Sequence, residues 1–417
     1  MELKVRSYEK IAILVNKGVN IPNPLTLDIG NEVSPDHISA NGVTIYPGCR
    51  IYGKNTVISA GTVLGCEGPV TIDDCQLGPN VKLRGGYFNK AVFLEKANLG
   101  LGSHVRAGCI LEEEASVAHC VGLKQTILFP FVTLGSLINF CDCLMAGGTS
   151  RKDHSEVGSS YIHFNFTPDG DKTTASLIGD VPRGVMLNQP AIFLGGQGGI
   201  VGPARVGFGD VIAAGTLLRM DIDEENKLVF GKDMSGEMKD RHPNSYISIA
   251  RIVGNNIRYL ANLVALEQWY MYVRQPFFQK QEFGDLVYAG VMTNLSSAKD
   301  ERIKRLQAMA DKAKAAIGKY PDKKQLDAGK EEFYVAVKTI QDIFFQLPVN
   351  NLGAEWREGF LALVHKHIRD GGQKYIDFIK GLPADSSRTG VQWLETIVDR
   401  LCAETQGLMP SLDLFKK

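Results

Sequence analysis

From Ile45 onward an aliphatic residue recurs every six positions, at Ile45, Ile51, Val57 and Val63. The same interval returns at Leu99, Val105, Leu111, Val117 and Leu123, and again at Leu194, Ile200, Val206, Ile212 and Leu218. Six matches neither the helical period of 3.6 nor the strand period of two. It fits a chain wound as a triangular prism, with one short strand per face and one aliphatic side chain per strand pointing inward. Repeats of this kind mark parallel β-helices. Glycine supports the reading: of 44 in the chain, only 13 follow residue 235. Tight corners need positive φ, which glycine adopts at little cost. At ~18 residues per three-sided coil, the span from 25 to 222 gives about ten coils before insertions are subtracted.

The chain then reads as a mainly β protein in three parts: a helix and linker at 1–24, a hexapeptide-repeat β-helix at 25–235, and an α-helical domain at 240–417. Tyr8, Ile11, Leu14 and Val15 give residues 7–18 a short amphipathic helix, which Pro22 and Pro24 stop. Apolar residues at helical spacing predict further helices over 246–273, 298–317, 330–345, 354–369 and 391–403. A helical domain is a natural cover for the open strand edges that end a β-helix. The Lys-rich stretch 304–324 reads as a solvated face, and Trp269-Tyr270-Met271-Tyr272 as core or an oligomer contact. The hexad beat breaks at Arg84–Phe88, at 140–170 and at 181–199. Loops thrown out from a rigid solenoid are where binding groups usually sit.

Composition excludes several classes. Lys+Arg and Asp+Glu both number 46, and this balance argues against a general nucleic-acid binder. The eight cysteines lack zinc-type spacing apart from Cys141-x-Cys143, so reduced structural thiols and no metal are expected. No apolar run is long enough to span a membrane, and the amino-terminal residues carry no signal-peptide pattern. These features point to a cytoplasmic protein.

One stretch carries a family resemblance. Ile13–Val19 with Asn23-Pro24, Val105-Arg106-Ala107-Gly108, Gly122-Leu123-Lys124, Gly158–Phe166, Asp169–Lys172, Leu177–Asp180, Val201–Gly207 and Ala213–Thr216 resemble one domain of a known enzyme family. It is the acetyltransferase domain of the bifunctional glucosamine-1-phosphate acetyltransferase / N-acetylglucosamine-1-phosphate uridyltransferase. The resemblance covers residues 10–222 and leaves the helical part unmatched. It implies a left-handed β-helix, a homotrimer with sites in grooves between subunits, a sugar phosphate or UDP-sugar such as UDP-N-acetylglucosamine as ligand, and acetyl-CoA as donor. Arg106 and Lys124 fall on the family's phosphate-holding positions. A planar guanidinium fork and a point charge suit that task. Asn165 and Lys172 fall on positions near the bound sugar and the acyl donor.

Two departures are informative. No Gly-rich nucleotide loop occurs, so uridyl transfer is not expected. The family's catalytic histidine is also replaced: the matching segment Gly135–Asp142 puts Phe140 there without a gap and Asp142 with a short one. Acyl transfer to an amine needs a base and donors for the oxyanion. Candidates for the base are His154 in the polar stretch Ser150–Glu156, Asp142, His163 and His119. The sequence therefore leads to an acyltransferase acting on a sugar phosphate or nucleotide sugar with acyl-CoA as donor. The alternative is a non-catalytic trimeric sugar-nucleotide-binding or scaffold protein that has lost the histidine.

Overall fold

The computed structural model describes residues 6–231, 236, 238, 240–320, 324, 326–346, 349–372 and 374–415. The expected boundary at residue 235 lies outside the described residues. Helix α1 (Tyr8–Lys17) opens the fold and ends on Gly18, whose φ of 106° caps it. A parallel β-solenoid of about 11 turns follows. Each strand pairs with its equivalent one coil away, as in Ala91–Phe93 with Cys109–Leu111 and Asn98-Leu99 with Ser116-Val117. One face forms a separate ten-stranded sheet. The other two merge where Gly122–Leu128 and Asn139–Met145 bend round an edge without leaving the ladder.

Inward side chains stack coil upon coil. Val105, Leu123 and Phe140 form one such column and Leu99, Val117 and Leu134 another, all buried. The six-residue beat holds over 99–123 and 194–218, but it slips at its start. Ile58 and Leu64 face inward, not Val57 and Val63, because the first coils carry an extra residue: Ile45 pairs with Leu64 and Ile58 with Leu77. At one edge, Gly53, Asp74, Lys90, Gly108, Gln125 and Asp142 all have positive φ, one per coil. Four of these six corners thus hold the left-handed conformation without glycine.

The helical part consists of α2 (Val181–Gly184), α3 (Ile249–Trp269), α4 (Gln275–Phe278), α5 (Gly284–Ala315), α6 (Asp327–Gln346), α7 (Ala354–Arg369), α8 (Tyr375–Lys380) and α9 (Ala384–Gly407). The helix expected over 298–317 is the second half of α5. Its first half buries Val287, Val291, Leu295 and Ala298, and Gly290 sits so close to Gln76 that a Cβ would meet Oε1 at 2.2 Å. The helical part lies along one whole side of the solenoid. Asn294 Nδ2 of α5 donates to the carbonyls of Lys90 (3.3 Å) and Cys109 (3.1 Å), and Lys312 near its end reaches the Asp169 carbonyl. Helix α3 runs the opposite way, from Arg251 on the Pro203 carbonyl to Tyr270 on Glu112.

That side of the solenoid was built to be covered. Its outward column reads Val92, Ile110, Ile127, Leu144 and Leu177, in register and all buried. Strands buried on both faces lose the usual apolar–polar alternation. A π-helical turn, Tyr270–Arg274, continues α3 and places two polar groups on the solenoid edge. Tyr270 donates to Glu112 at 2.5 Å, while Arg274 pairs with Glu112 (3.2 Å) and Glu113, and its guanidinium lies 4.0 Å over the Tyr375 ring. Burial pushes the Glu112 carboxyl up, and Arg274 opposes that shift. Removing the arginine strands two buried carboxylates side by side. Arg274→Met should therefore cost about 3–5 kcal/mol in urea denaturation; a loss under about 1 kcal/mol would show that water reaches this cluster.

Candidate functional site

The edge marked by Gly108, Gln125 and Asp142 gathers most of the residues singled out from the sequence. His104 pairs with Gly122 and Val105 with Leu123, so Arg106 sits directly over Lys124. Lys124 in turn pairs with Cys141. Arg106 is exposed and Lys124 half-buried. Arg106 Nη2 donates to Cys141 Sγ at 3.8 Å, a weak contact that leaves most of the guanidinium fork free. Two flexible cations on adjacent coils, whose backbones are about 4.8 Å apart, can both reach one phosphate group.

Asp142 occupies the corner next to them. It is 6% exposed, and its Oδ1 accepts from Arg302 Nη2 of α5 at 2.6 Å. Burial raises its carboxyl above the ordinary range, against the pull of Arg302. Arg302 Nη1 also donates to the Lys172 carbonyl at 3.4 Å. Thr174 Oγ1 donates to Asn165 Oδ1 at 2.6 Å and lies 3.4 Å from Asp142 Oδ2. Asp142, Asn165, Thr174, Arg302 and the backbone of Lys172 thus form one connected network. The loop 165–175 that carries Asn165 and Lys172 leaves the solenoid at this same edge, and both side chains are exposed. Glu301 of α5 has its carboxyl lowered: burial opposes this, and Arg305, Arg302 and Lys124 outweigh it.

The histidines are placed elsewhere. His163 pairs with Ile200 in the inward column, its ring 6.4 Å from that of Phe140, and it is 3% exposed. Burial, with Arg302 nearby, pushes its pKa down to about 3. Its Nε2 is 2.8 Å from Ser176 Oγ, and its buried Nδ1 has no partner. His154 ends a hairpin, Gly148–Ser150 against Asp153-His154, at a different edge of the prism, with Nε2 3.8 Å from Glu156. His119 faces Ser136 at 2.8 Å beside the corner at Cys120. Phe140 is wholly interior, so of the two residues matched to the family histidine only Asp142 reaches the edge. Arg302 was not found from the sequence, because it lies 160 residues from Asp142 in a part that resembles nothing recognised.

Among the described residues no group of His, Cys, Asp and Glu is arranged to hold a metal ion, and no helix is long and apolar enough to cross a membrane. No family model matches the chain. A stretch of 223 residues is 28% identical to "Bifunctional protein GlmU" of Thermotoga maritima, covering 53% of this chain and 43% of that protein. The protein of the same name from Clavibacter sepedonicus is 27% identical over 208 residues, 49% of this chain and 36% of its own. The chain therefore spans less than half the length of these relatives. They belong to the bifunctional family that residues 10–222 resemble. Among solved structures, the UDP-N-acetylglucosamine O-acyltransferase of Moraxella catarrhalis RH4 aligns with 66% of this chain and 95% of its own at 10% identity. Its TM-score of 0.25 is too low to carry an argument.

The buried imidazole gives a test of its own. The folded pKa of His163 lies below the unfolded value of about 6.5, so its contribution to stability is fully present above that pH and is lost as pH falls toward about 3. Between pH 7 and pH 5 the loss should be about 2 kcal/mol. Asp142 and Glu112, with raised values, push the other way, so the readout is the difference between wild type and His163→Gln. The variant should lack this part of the slope in urea denaturation. Identical slopes would mean that the ring is hydrated.

Proposed function

We propose that the chain is an acyltransferase acting on a sugar phosphate or nucleotide sugar, with an acyl-CoA thioester as donor. The observation that carries this is the pair Arg106 and Lys124, stacked on adjacent coils at the edge where Asp142 sits. The acyltransferase class comes from the resemblance and the relatives. The ligand class comes from the two cations. In the reaction the acceptor nitrogen attacks the thioester carbonyl and a C–N bond forms. The C–S bond breaks, and the proton leaving nitrogen passes to a base while the thiolate departs. We assign that proton to Asp142, whose corner adjoins the two cations. Its raised pKa brings it closer to the range in which a base works at neutral pH. Acetyl-CoA and a homotrimer are the donor and assembly that the resemblance suggests.

One observation favours the second reading, a binding protein that keeps the phosphate grip without the chemistry. Asp142 is nearly closed off and held by Arg302, and a carboxylate so engaged is a poor base.

Both readings require Arg106. Arg106→Ala and Lys124→Ala should each weaken a sugar 1-phosphate by about tenfold or more, the value of a hydrogen bond to a charged group, in isothermal titration. Unchanged binding would remove the site. Mixing acetyl-CoA with an amino-sugar phosphate then separates the readings. Acylated product, reduced about 100-fold by Asp142→Asn, supports catalysis. Tight binding with no product across acyl donors supports the binding protein.

A further inference from the structure

Helix α5 does not seal the solenoid edge along its whole length. It touches the solenoid at Gly290, pressed onto Gln76, and at Asn294, bonded to the Lys90 and Cys109 carbonyls, and beside these contacts a cavity of about 500 Å³ lies between its face from Leu286 to Ser297 and the corner column. Ala107 and Gly108 line it, so the cavity opens next to Arg106. Its volume lies within the range of small-molecule sites.

The polar groups in it are graded along the corner. Gly108 N–H bonds to the Lys90 carbonyl, Lys90 N–H to Asp73 and Asp74 N–H to Tyr52, so successive coils carry Gly108, Lys90, Asp74 and Gly53, with Lys54 next to Gly53 on its coil. Lys90 and Lys54 are exposed, and neither takes part in an ion pair or side-chain hydrogen bond among the described residues. Asp74 Oδ1 accepts from the Asn55 N–H at 3.1 Å, which leaves Oδ2 free. His37, at the far end, has a buried Nδ1 with no partner. Cations outnumber carboxylates in the lining, which favours an anion. Farther along, the lone carboxylate oxygen Asp74 Oδ2 offers an acceptor to a neutral hydroxyl.

We infer that this cavity holds the nucleoside diphosphate end of a nucleotide sugar, whose sugar-side phosphate rests on Arg106 and Lys124. Lys90, one coil below Gly108, meets the second phosphate. Asp74 Oδ2 accepts from a ribose hydroxyl. Lys54 meets the polar edge of the base. The inference rests on the reading of Arg106 and Lys124 given above, and it selects a nucleotide sugar over a free sugar phosphate as the ligand. It also gives α5 a task in recognition, as the outer wall of the nucleotide site.

The test is isothermal titration of the full chain with three probes: N-acetylglucosamine 1-phosphate, UDP and UDP-N-acetylglucosamine. The nucleotide sugar should bind at least about tenfold more tightly than the sugar phosphate. The double variant Lys54→Ala/Lys90→Ala changes only exposed side chains. It should weaken UDP and UDP-N-acetylglucosamine by about tenfold or more and leave the sugar phosphate unchanged. Equal affinity for sugar phosphate and nucleotide sugar, or an unaffected double variant, overturns the inference. Failure of the underlying reading looks different: UDP binding would still depend on Lys90, while Arg106→Ala would leave the sugar phosphate unaffected.

Discussion

Everything in this protein depends on one backbone constraint: each coil of the solenoid finds its hydrogen-bond partners only in the coils above and below. A residue therefore stands over its equivalent one coil earlier, and whatever a position does, it does as part of a column. Phe140 over Leu123 over Val105 is the core, and Asp142 over Gln125 over Gly108 is an edge. Arg106 over Lys124 is a pair of charges set at strand spacing by the ladder and not by their own side chains. Such a scaffold holds ligand groups rigidly at almost no local cost.

The same rule explains how the helical part binds. A solenoid face shows the outside one residue per coil, and on this side that residue is aliphatic from Val92 to Leu177. The apolar stripe is a dock for α3 and α5, and buried polar contacts fix where on the stripe they settle. Arg274 between Glu112 and Glu113 fixes one point; Arg302 on Asp142 fixes another. Buried ion pairs of this kind add little net stability, but mispairing is costly. Their effect is to set one register of helix on coil.

Much of this was legible in the sequence, and the gaps have physical reasons. The period of six over Leu99–Leu123 gave the coil length and hence the stacking of Arg106 on Lys124. The slip at Val57 and Val63 arose because both alternating positions are aliphatic there, and one extra residue per coil moves the inward one. The dock could have been found: Ala91-Val92-Phe93, Cys109-Ile110-Leu111 and Cys143-Leu144-Met145 are apolar on both sides, whereas Lys82, Asn98, Ser116 and Thr133 mark a face open to water. Arg302 had no such signal. It reaches Asp142 only through the tertiary path of α5, and nothing local to residue 302 announces a buried partner. The histidines misled for the opposite reason. Their chemistry suggested a base, but the column rule turns His163 inward and the hairpin carries His154 to another edge.

The proposed site is one edge, walled by α5, that binds a phosphorylated sugar through Arg106 and Lys124. A crystal structure of the chain grown with UDP-N-acetylglucosamine tests it most directly. Density for a phosphate is expected within hydrogen-bond distance of both Arg106 and Lys124, continuing toward Lys90 under α5. An edge with no ligand there, while the nucleotide sugar is bound elsewhere on the molecule, would contradict it.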